Sequence, residues 1–246
     1  MGGRRLEPSN LFERLEQNAY PGRGIVLGLT PDGARAVLAY FIMGRSAGSR
    51  SRAFVKNGND LGIHMLDGGR IADTSLILYA PLRTLHRATI VTNGDQTDTI
   101  CDALKNGRSF EDSLRARTFE PDAPHYTPRI SGMQSFLGGY VYKLSILKSA
   151  DKDGTATLRQ AFDYEPVCGV GHLIHTYQAD GAVLPSFCGE PAAVSLPNER
   201  KAFADSLWGA LNPENRVSLY VRYTDLASGT YEDAIYNQYA AKEAQA

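Results

Sequence analysis

Residues Gly24 to Met43, GIVLGLTPDGARAVLAYFIM, decide how the rest of this chain is read. GIVLGLT and ARAVLAYFIM are strand-like: apolar, with β-branched and aromatic residues where a pleated surface buries them. The PDG between them is turn chemistry, since proline presets φ and glycine tolerates a left-handed backbone. The pair reads as a β-hairpin. Downstream, GGYVYKLSILKS (138–149) and TATLRQAFDYEP (155–166) flank ADKDG and read as a second hairpin. TSLILYA (74–80), RATIVTN (87–93), HLIHTYQADG (172–181) and RVSLYVRYTD (216–225) add further strands.

Helical patterns stand apart from these strands. Asn10 to Asn18 reads as a short helix, with Asn10 and Glu13 spaced as a capping box and Leu11 and Leu15 on one face. In DQTDTICDALKNG (95–107), Ile100, Ala103 and Leu104 share a face and Gly107 is a stop signal. SFEDSLRAR (109–117) reads as a shorter helix. ERKAFADSLWGALN (199–212) is amphipathic, with Phe203, Leu207, Trp208 and Leu211 as its apolar stripe. Hairpins with helices in separate blocks predict antiparallel sheets covered by helices, an α+β layered fold, rather than a βαβ doubly wound sheet. No Pro-rich or Gly/Ser-rich run is longer than a loop, so residues 1–246 read as a single domain. Residues 230–246 read as a helical or frayed tail.

Of 246 residues, 43% are hydrophobic, which suffices for a sizeable core. The net charge of −1 lacks the broad basic excess of a nucleic-acid binder. No stretch approaches the roughly 20 apolar residues of a membrane span, and MGGRRLEPSN has no apolar leader. Cys101, Cys168 and Cys188 are too widely spaced for a disulfide framework or a CxxC zinc pattern. They read as reduced, mostly buried thiols of a cytoplasmic protein.

Against that neutral background, MGRSAGSRSRAF (43–54) concentrates positive charge. Arg45, Arg50 and Arg52 lie among Gly, Ser and Ala with no acid between them. Such a local cluster suits a small anion, and on an extended chain Arg50 and Arg52 face the same way. Ser46 lies within it. YPGRG (20–24) presents Arg23 between glycines that permit close approach of a backbone or ligand. TNGDQTD (92–98) closes a strand and starts a helix; Asn93, Asp95 and Thr97 are turn and N-cap types, and a helix start also receives polar ligands.

FEPDAPHYTPRISG (119–132) is harder to explain as a plain loop. Pro121, Pro124 and Pro128 stiffen it around Glu120, Asp122, His125, Tyr126 and Arg129, which keeps polar side chains directed at low entropic cost. GVGHLIH (169–175) lacks the third glycine of a dinucleotide fingerprint. Its His172 and His175 fall on opposite faces of a strand, poorly placed for one metal. No GxxxxGK[ST], HExxH or GxSxG motif occurs.

Taken together, YPGRGIVLG, MGRSAGSRSRAF, VTNGDQTDTI, FEPDAPHYTPRISG, GHLIHTYQADG and LPSFCGEP, in this order between about Tyr20 and Pro191, resemble the archaeal-type IMP cyclohydrolase family. The resemblance implies a four-layer αββα sandwich of antiparallel sheets like that of the N-terminal-nucleophile hydrolases. It implies no self-processing, since the chain starts Met-Gly-Gly. It also implies closure of 5-formamidoimidazole-4-carboxamide ribotide to IMP with loss of water, a cyclic amidine hydrolase activity needing no metal or cofactor. The implied partners are purine ribotides: the formamido substrate, IMP and AICAR. Neither nucleic acid nor membrane is implied, and a homo-oligomer is compatible.

Two positions depart from the family pattern, Ser51 and His125, where asparagine is expected. On the resemblance, Glu120, Arg23, Asn93, Tyr126 and Tyr20 are the candidate catalytic residues. Arg45, Ser46, Arg50, Arg52, Asp122 and Arg129 are the candidates for holding substrate. The rival readings are a ribotide-binding protein without turnover and a different amidohydrolase of the same fold.

Overall fold

The computed structural model describes residues 7–66 and 79–239. In chain order the elements are α1 (Leu11–Glu16), β1 (Arg23–Leu29), β2 (Arg35–Met43), α2 (Ala47–Arg50), β3 (Arg52–Asn57), β4 (Asp60–Met65), β5 (Leu82–Leu85) and β6 (Ala88–Thr92). Then come α3 (Gln96–Lys105), α4 (Phe110–Ser113), β7 (Arg129–Ser135), β8 (Val141–Ser149) and β9 (Thr157–Tyr164). The last are β10 (Val170–His175), β11 (Ala192–Ser195), α5 (Arg200–Ala210), β12 (Arg216–Asp225) and β13 (Tyr231–Asn237).

The strands form a six-stranded sheet, β11-β10-β1-β2-β12-β13, and a seven-stranded sheet, β3-β4-β5-β6-β7-β8-β9. Every strand pairing in both sheets is antiparallel. The hairpin over Gly24–Met43 forms as expected, in register from Arg23 opposite Ile42 to Leu29 opposite Ala36. Its strands are buried on both faces, which explains the near-continuous apolar run.

Alternation along each strand divides the apolar residues between two cores. Ile25, Leu27, Leu38, Tyr40 and Ile42 face the other sheet and meet Phe54, Ile130, Leu144 and Ile146. Val26, Val37, Ala39 and Phe41 face outward onto α1 and α5, against Leu11, Leu15, Phe203 and Leu207. A third core joins α3 and α4 to the second sheet through Ile90, Ile100, Phe110, Met133 and Leu147. Helix, sheet, sheet and helix are thus stacked with a core between each pair, the α+β layering expected.

The short helices behave as their caps dictate. The Asn10 side chain accepts from Phe12 N and Glu13 N at the start of α1, and Ser109 caps α4. In α5 the stripe is Phe203, Leu207 and a partly buried Trp208, with Leu211 closing the helix.

Other expectations change. Most of TSLILYA lies outside the described residues, and its Tyr79 and Ala80 are not in a strand. Tyr231–Asn237, read from sequence as part of a helical or frayed tail, is β13. It pairs along β12 from Ser218 opposite Asn237 to Thr224 opposite Tyr231, so it is the edge strand of the first sheet, bonded on its β12 side. Residues 240–246 lie outside the described set. Cys101 is buried on the inner face of α3, but Cys168 and Cys188 are exposed, so the thiols are not mostly buried. No helix among the described residues is long and apolar enough to cross a membrane.

Candidate active site between the sheets

The side chains of interest gather where the inter-sheet core ends. Arg23 opens β1 two residues before Ile25, and Arg52 opens β3 two residues before Phe54, so each shares the inward face of its strand. Tyr40, stacked on Phe54 at 5.5 Å, lies between them on β2. Its hydroxyl is 2.9 Å from that of Tyr79. Glu120 enters from the Pro-rich segment and is 4% exposed.

The Pro-rich segment is a closed loop rather than an extended arm. Glu120 N donates to Thr127 O at 2.9 Å, and His125 N to Asp122 O at 3.0 Å. Asp122 is the hub: its Oδ1 accepts Thr127 N at 2.6 Å and its Oδ2 accepts the Thr127 hydroxyl. This geometry turns Glu120 and Thr127 inward. Tyr126 goes elsewhere, with its ring edge-on to Phe119 at 5.5 Å and against Gly154.

Charge in this region is unbalanced. Arg23 is half-buried, its Nε wholly so and without a hydrogen-bond partner. Arg52 is 2% exposed, and among the described residues its guanidinium meets no carboxylate; Nε donates to Ser49 O at 2.9 Å. Glu120 Oε1 is also buried and unpartnered. Unsatisfied buried polar atoms cost about 1–3 kcal/mol each, and more when charged. Two such atoms, Arg23 Nε and Glu120 Oε1, beside an Arg52 guanidinium that no carboxylate offsets, mark a place built to receive a polar ligand.

The protonation equilibria reflect this. Burial works against the charge of Arg23, but Glu120, then Tyr177, Tyr79 and Tyr20, outweigh it and hold the guanidinium firmly protonated. Arg52 is pushed down, by burial first and by like-charged Arg23 second. Glu120 is pushed up: burial exceeds the pull of Arg23, Arg129 and Arg52, and Asp122 adds to the rise. A carboxylate with a raised pKa is a better base, which suits proton abstraction.

The three clustered arginines therefore separate. Residues Ala47–Arg50 form one helical turn rather than an extended chain, capped by Ser46 and Ser49 reciprocally. That turn parts Arg50 from Arg52. Arg50 Nε donates to Gly44 O at 3.0 Å and Nη2 reaches Asn215, so its side chain ties this turn to the loop before β12. Arg45 is exposed, paired with Asp180 Oδ1 and Gly181 O at 2.7 Å, over the Tyr20 ring at 4.9 Å. Only Arg52 turns into the space with Arg23 and Glu120. Ser46 is a helix cap.

Asn93 is buried, and both of its polar atoms are in hydrogen bonds. Its Nδ2 donates to Pro128 O at 2.8 Å, and its Oδ1 accepts Ile130 N at 2.8 Å and Gln96 Nε2 at 3.1 Å. It fastens the end of β6 to the start of β7 through both of its polar atoms. Asp95 does not cap α3 with its side chain; it pairs with Arg129 at 2.7 Å and Arg117 at 2.9 Å. Arg129 also donates to Gln96 Oε1 at 2.8 Å, so it reaches Glu120 only through its field. A Cβ at Gly94 would stand 2.4 Å from Arg129 Nη1, which is why that position has no side chain.

Sequence reasoning missed Tyr40, Tyr79, Thr127 and Tyr177. Tyr177 stacks on Tyr20 at 5.9 Å, and its hydroxyl is 2.6 Å from that of Thr127. Tyr40 sat in a run read as pure core, where a lone phenol among aliphatics was the available signal. Both histidines of GVGHLIH are structural. His172 lies 2.8 Å from Tyr142 OH and stacks on Tyr164, and His175 Nδ1 is 2.9 Å from Tyr177 O. Burial lowers each to about 4, so both are neutral imidazoles at physiological pH.

Gly22 sets the spacing of this region. Its φ is +78°, and a Cβ there would fall 2.2 Å from Thr176 Oγ1 and 2.5 Å from the Tyr177 ring. Gly22→Ala should therefore cost about 1–3 kcal/mol through strain and displacement of Tyr177. Thermal unfolding checks this: an unchanged Tm would show that the loop relaxes freely.

An open depression of about 590 Å³ lies elsewhere, lined by Arg35, Tyr223, Asp225 and the β12–β13 turn. Its charged groups are already engaged, Arg35 by Asn198 O and Asp225 by Ala227 N and Ser228 N. It carries none of the unpartnered atoms.

A family model described as IMP cyclohydrolase-like protein matches residues 20–229, which span every side chain placed in the site. An IMP cyclohydrolase from Methanopyrus kandleri is 32% identical over 115 residues, covering 46% of this chain and 57% of that protein. An IMP cyclohydrolase from Methanothrix thermoacetophila is 26% identical over 159 residues, covering 60% of this chain and 78% of that protein.

Proposed function

The chain belongs to the IMP cyclohydrolase-like family, and we propose that it closes the ring of 5-formamidoimidazole-4-carboxamide ribotide to IMP, releasing water as the last step of de novo purine synthesis. The observation that carries this is the convergence of Arg23, Arg52 and Glu120, two cations and one base, at the end of the inter-sheet core.

Nucleophile and electrophile already share one molecule, so the protein's first task is orientation. The carboxamide must lie in the plane that brings its nitrogen onto the formyl carbon. Holding that rotamer is worth several kcal/mol by the effective molarities of intramolecular reactions. The second task is proton movement. As the C–N bond forms, Glu120 takes a proton from the carboxamide nitrogen while charge grows on the former formyl oxygen. Arg23, with its buried unpartnered Nε, faces that charge. The oxygen is then protonated to a hydroxyl, and it takes a second proton and leaves as water as the formamido nitrogen gives up its N–H proton and the C=N bond forms, so the water's two hydrogens match the one lost from each nitrogen. The Tyr79 hydroxyl, bonded to Tyr40 and within the fields of Arg23, Arg52 and Glu120, is placed to donate to it. Arg52 holds the 5′-phosphate, whose nearly two negative charges offset the guanidinium groups of Arg23 and Arg52.

We assign the protein to the cytoplasm, acting as one domain on a purine ribotide. In EDTA-treated buffer, without added cofactor, it should convert the formamido ribotide to IMP, followed by ultraviolet absorbance and chromatography. Tight binding without IMP formation would sink the catalytic reading and leave a ribotide-binding protein.

A further inference from the structure

We propose that Tyr177 recognises the substrate's carboxamide, held by Thr127 and Asp122 as a hydrogen-bond acceptor for one of its N–H groups. This rests on the reading of the site as a ribotide cyclase but is tested separately.

Asp122, as a carboxylate, only accepts, and it takes both donors of Thr127, the backbone N–H and the hydroxyl. The hydroxyl has one proton, now committed to Asp122. In the 2.6 Å contact between Thr127 and Tyr177 the phenol must therefore be the donor. With its own proton spent on Thr127, Tyr177 has only lone-pair capacity left. Among the described residues, no donor fills it.

The ring is held so that this oxygen stays in place. Tyr20 stacks on one face at 5.9 Å, and Gly22, directly before Arg23, lies against the ring. Tyr177 N donates to Pro21 O at 3.2 Å, and His175 Nδ1 is 2.9 Å from Tyr177 O. Tyr177 is 3% exposed, and Thr127 is 1% exposed. The phenol bonds the hydroxyl of Thr127, whose carbonyl accepts Glu120 N at 2.9 Å, and its ring packs on Gly22 directly before Arg23, so it lies beside both reacting side chains and within their fields.

A fixed acceptor there has a use in this reaction. The carboxamide nitrogen has two protons. If one goes to Glu120, the other must be held so that the amide does not rotate out of line. An oxygen that cannot donate accepts that N–H and repels a carboxylate oxygen in its place. The relay thereby selects amide over acid, because a site built around one hydrogen-bond polarity leaves the wrong analogue unpaired. Thr127 and Asp122 are positioning residues that act through Tyr177.

The test is calorimetric binding of 5-aminoimidazole-4-carboxamide ribotide and its 4-carboxylate counterpart. The wild-type protein should prefer the amide. Tyr177→Phe should weaken the amide about tenfold and leave the acid unchanged or tighter, contracting the preference about tenfold. Thr127→Val should contract it similarly, because the phenol proton is then free to turn inward; Thr127→Ser should restore it. An unchanged ratio in Tyr177→Phe and Thr127→Val overturns the proposal. So do equal losses for both ligands, which mark a structural defect, and a wild-type protein without preference. Turnover separates this from the parent reading. A wild-type protein that prefers the amide but forms no IMP sinks cyclisation and leaves the recognition. One that forms IMP while Tyr177→Phe keeps the ratio sinks only the recognition.

Discussion

Glu120→Gln should lower kcat for ring closure by about 10²–10⁴-fold, the usual worth of one general base, while KM changes by no more than a few-fold. Glutamine keeps the shape of the side chain and its place behind the Glu120 N to Thr127 O bond, but it cannot take a proton from the carboxamide nitrogen. Loss of an interaction made only in the transition state falls on kcat and kcat/KM together. The reverse pattern, a raised KM with kcat kept, would make Glu120 a binding residue only. The pH profile supplies a second readout. Burial pushes the Glu120 carboxyl above its ordinary range, and the base is lost as it protonates. The acid limb of kcat should therefore lie above the ordinary glutamate range, with rate falling as pH falls through it. The residual activity of Glu120→Gln should lack that limb.

Much of this site could be read from the chain, though not all for the right reason. Glu120, Arg23 and Arg52 stood out because charged residues beside glycine, proline and apolar strands have few bland explanations. The first hairpin was legible because its alternation and turn agree locally. The strand β7 (Arg129–Ser135) was not. Its inner positions carry Gly132 and Gln134, and it owes its strand state to pairing with β6 and β8 on both sides. The partners of Asn93 were not legible either: its side chain bonds backbone groups of Pro128 and Ile130, distant in sequence. Arg50 does not face the same way as Arg52 as an extended chain would have it, since one helical turn rotates it away. Tyr177 and Thr127 become visible only when two loops 50 residues apart meet. Local pattern tells which residues are unusual; the partners that decide their chemistry come from tertiary contact.

The same logic decides which arginine binds phosphate. Arg52→Met should reduce affinity for 5-aminoimidazole-4-carboxamide ribotide by about 10–10²-fold, the worth of a charge-assisted hydrogen bond or two, while affinity for the phosphate-free riboside changes little. The ribotide-to-riboside ratio is the diagnostic, and its collapse assigns the contact. Arg50→Met should move that ratio far less, because its guanidinium is turned to Gly44 O and Asn215. Equal losses for ribotide and riboside in Arg52→Met would exclude a phosphate contact. The free protein offers an independent check with the opposite sign. Arg52 is disfavoured as a cation by burial and by Arg23, and removing a buried charge that lacks a carboxylate partner relieves desolvation rather than breaking a pair. Unliganded Arg52→Met should then unfold at a Tm no lower than that of the parent protein, whereas saturating ribotide should raise the parent's Tm more than the variant's. A variant that loses both stability and ribotide affinity would make Arg52 a structural brace through its bond to Ser49 O. One that keeps its stability and loses only the ribotide would show a cation held at an energetic cost for the anion it receives.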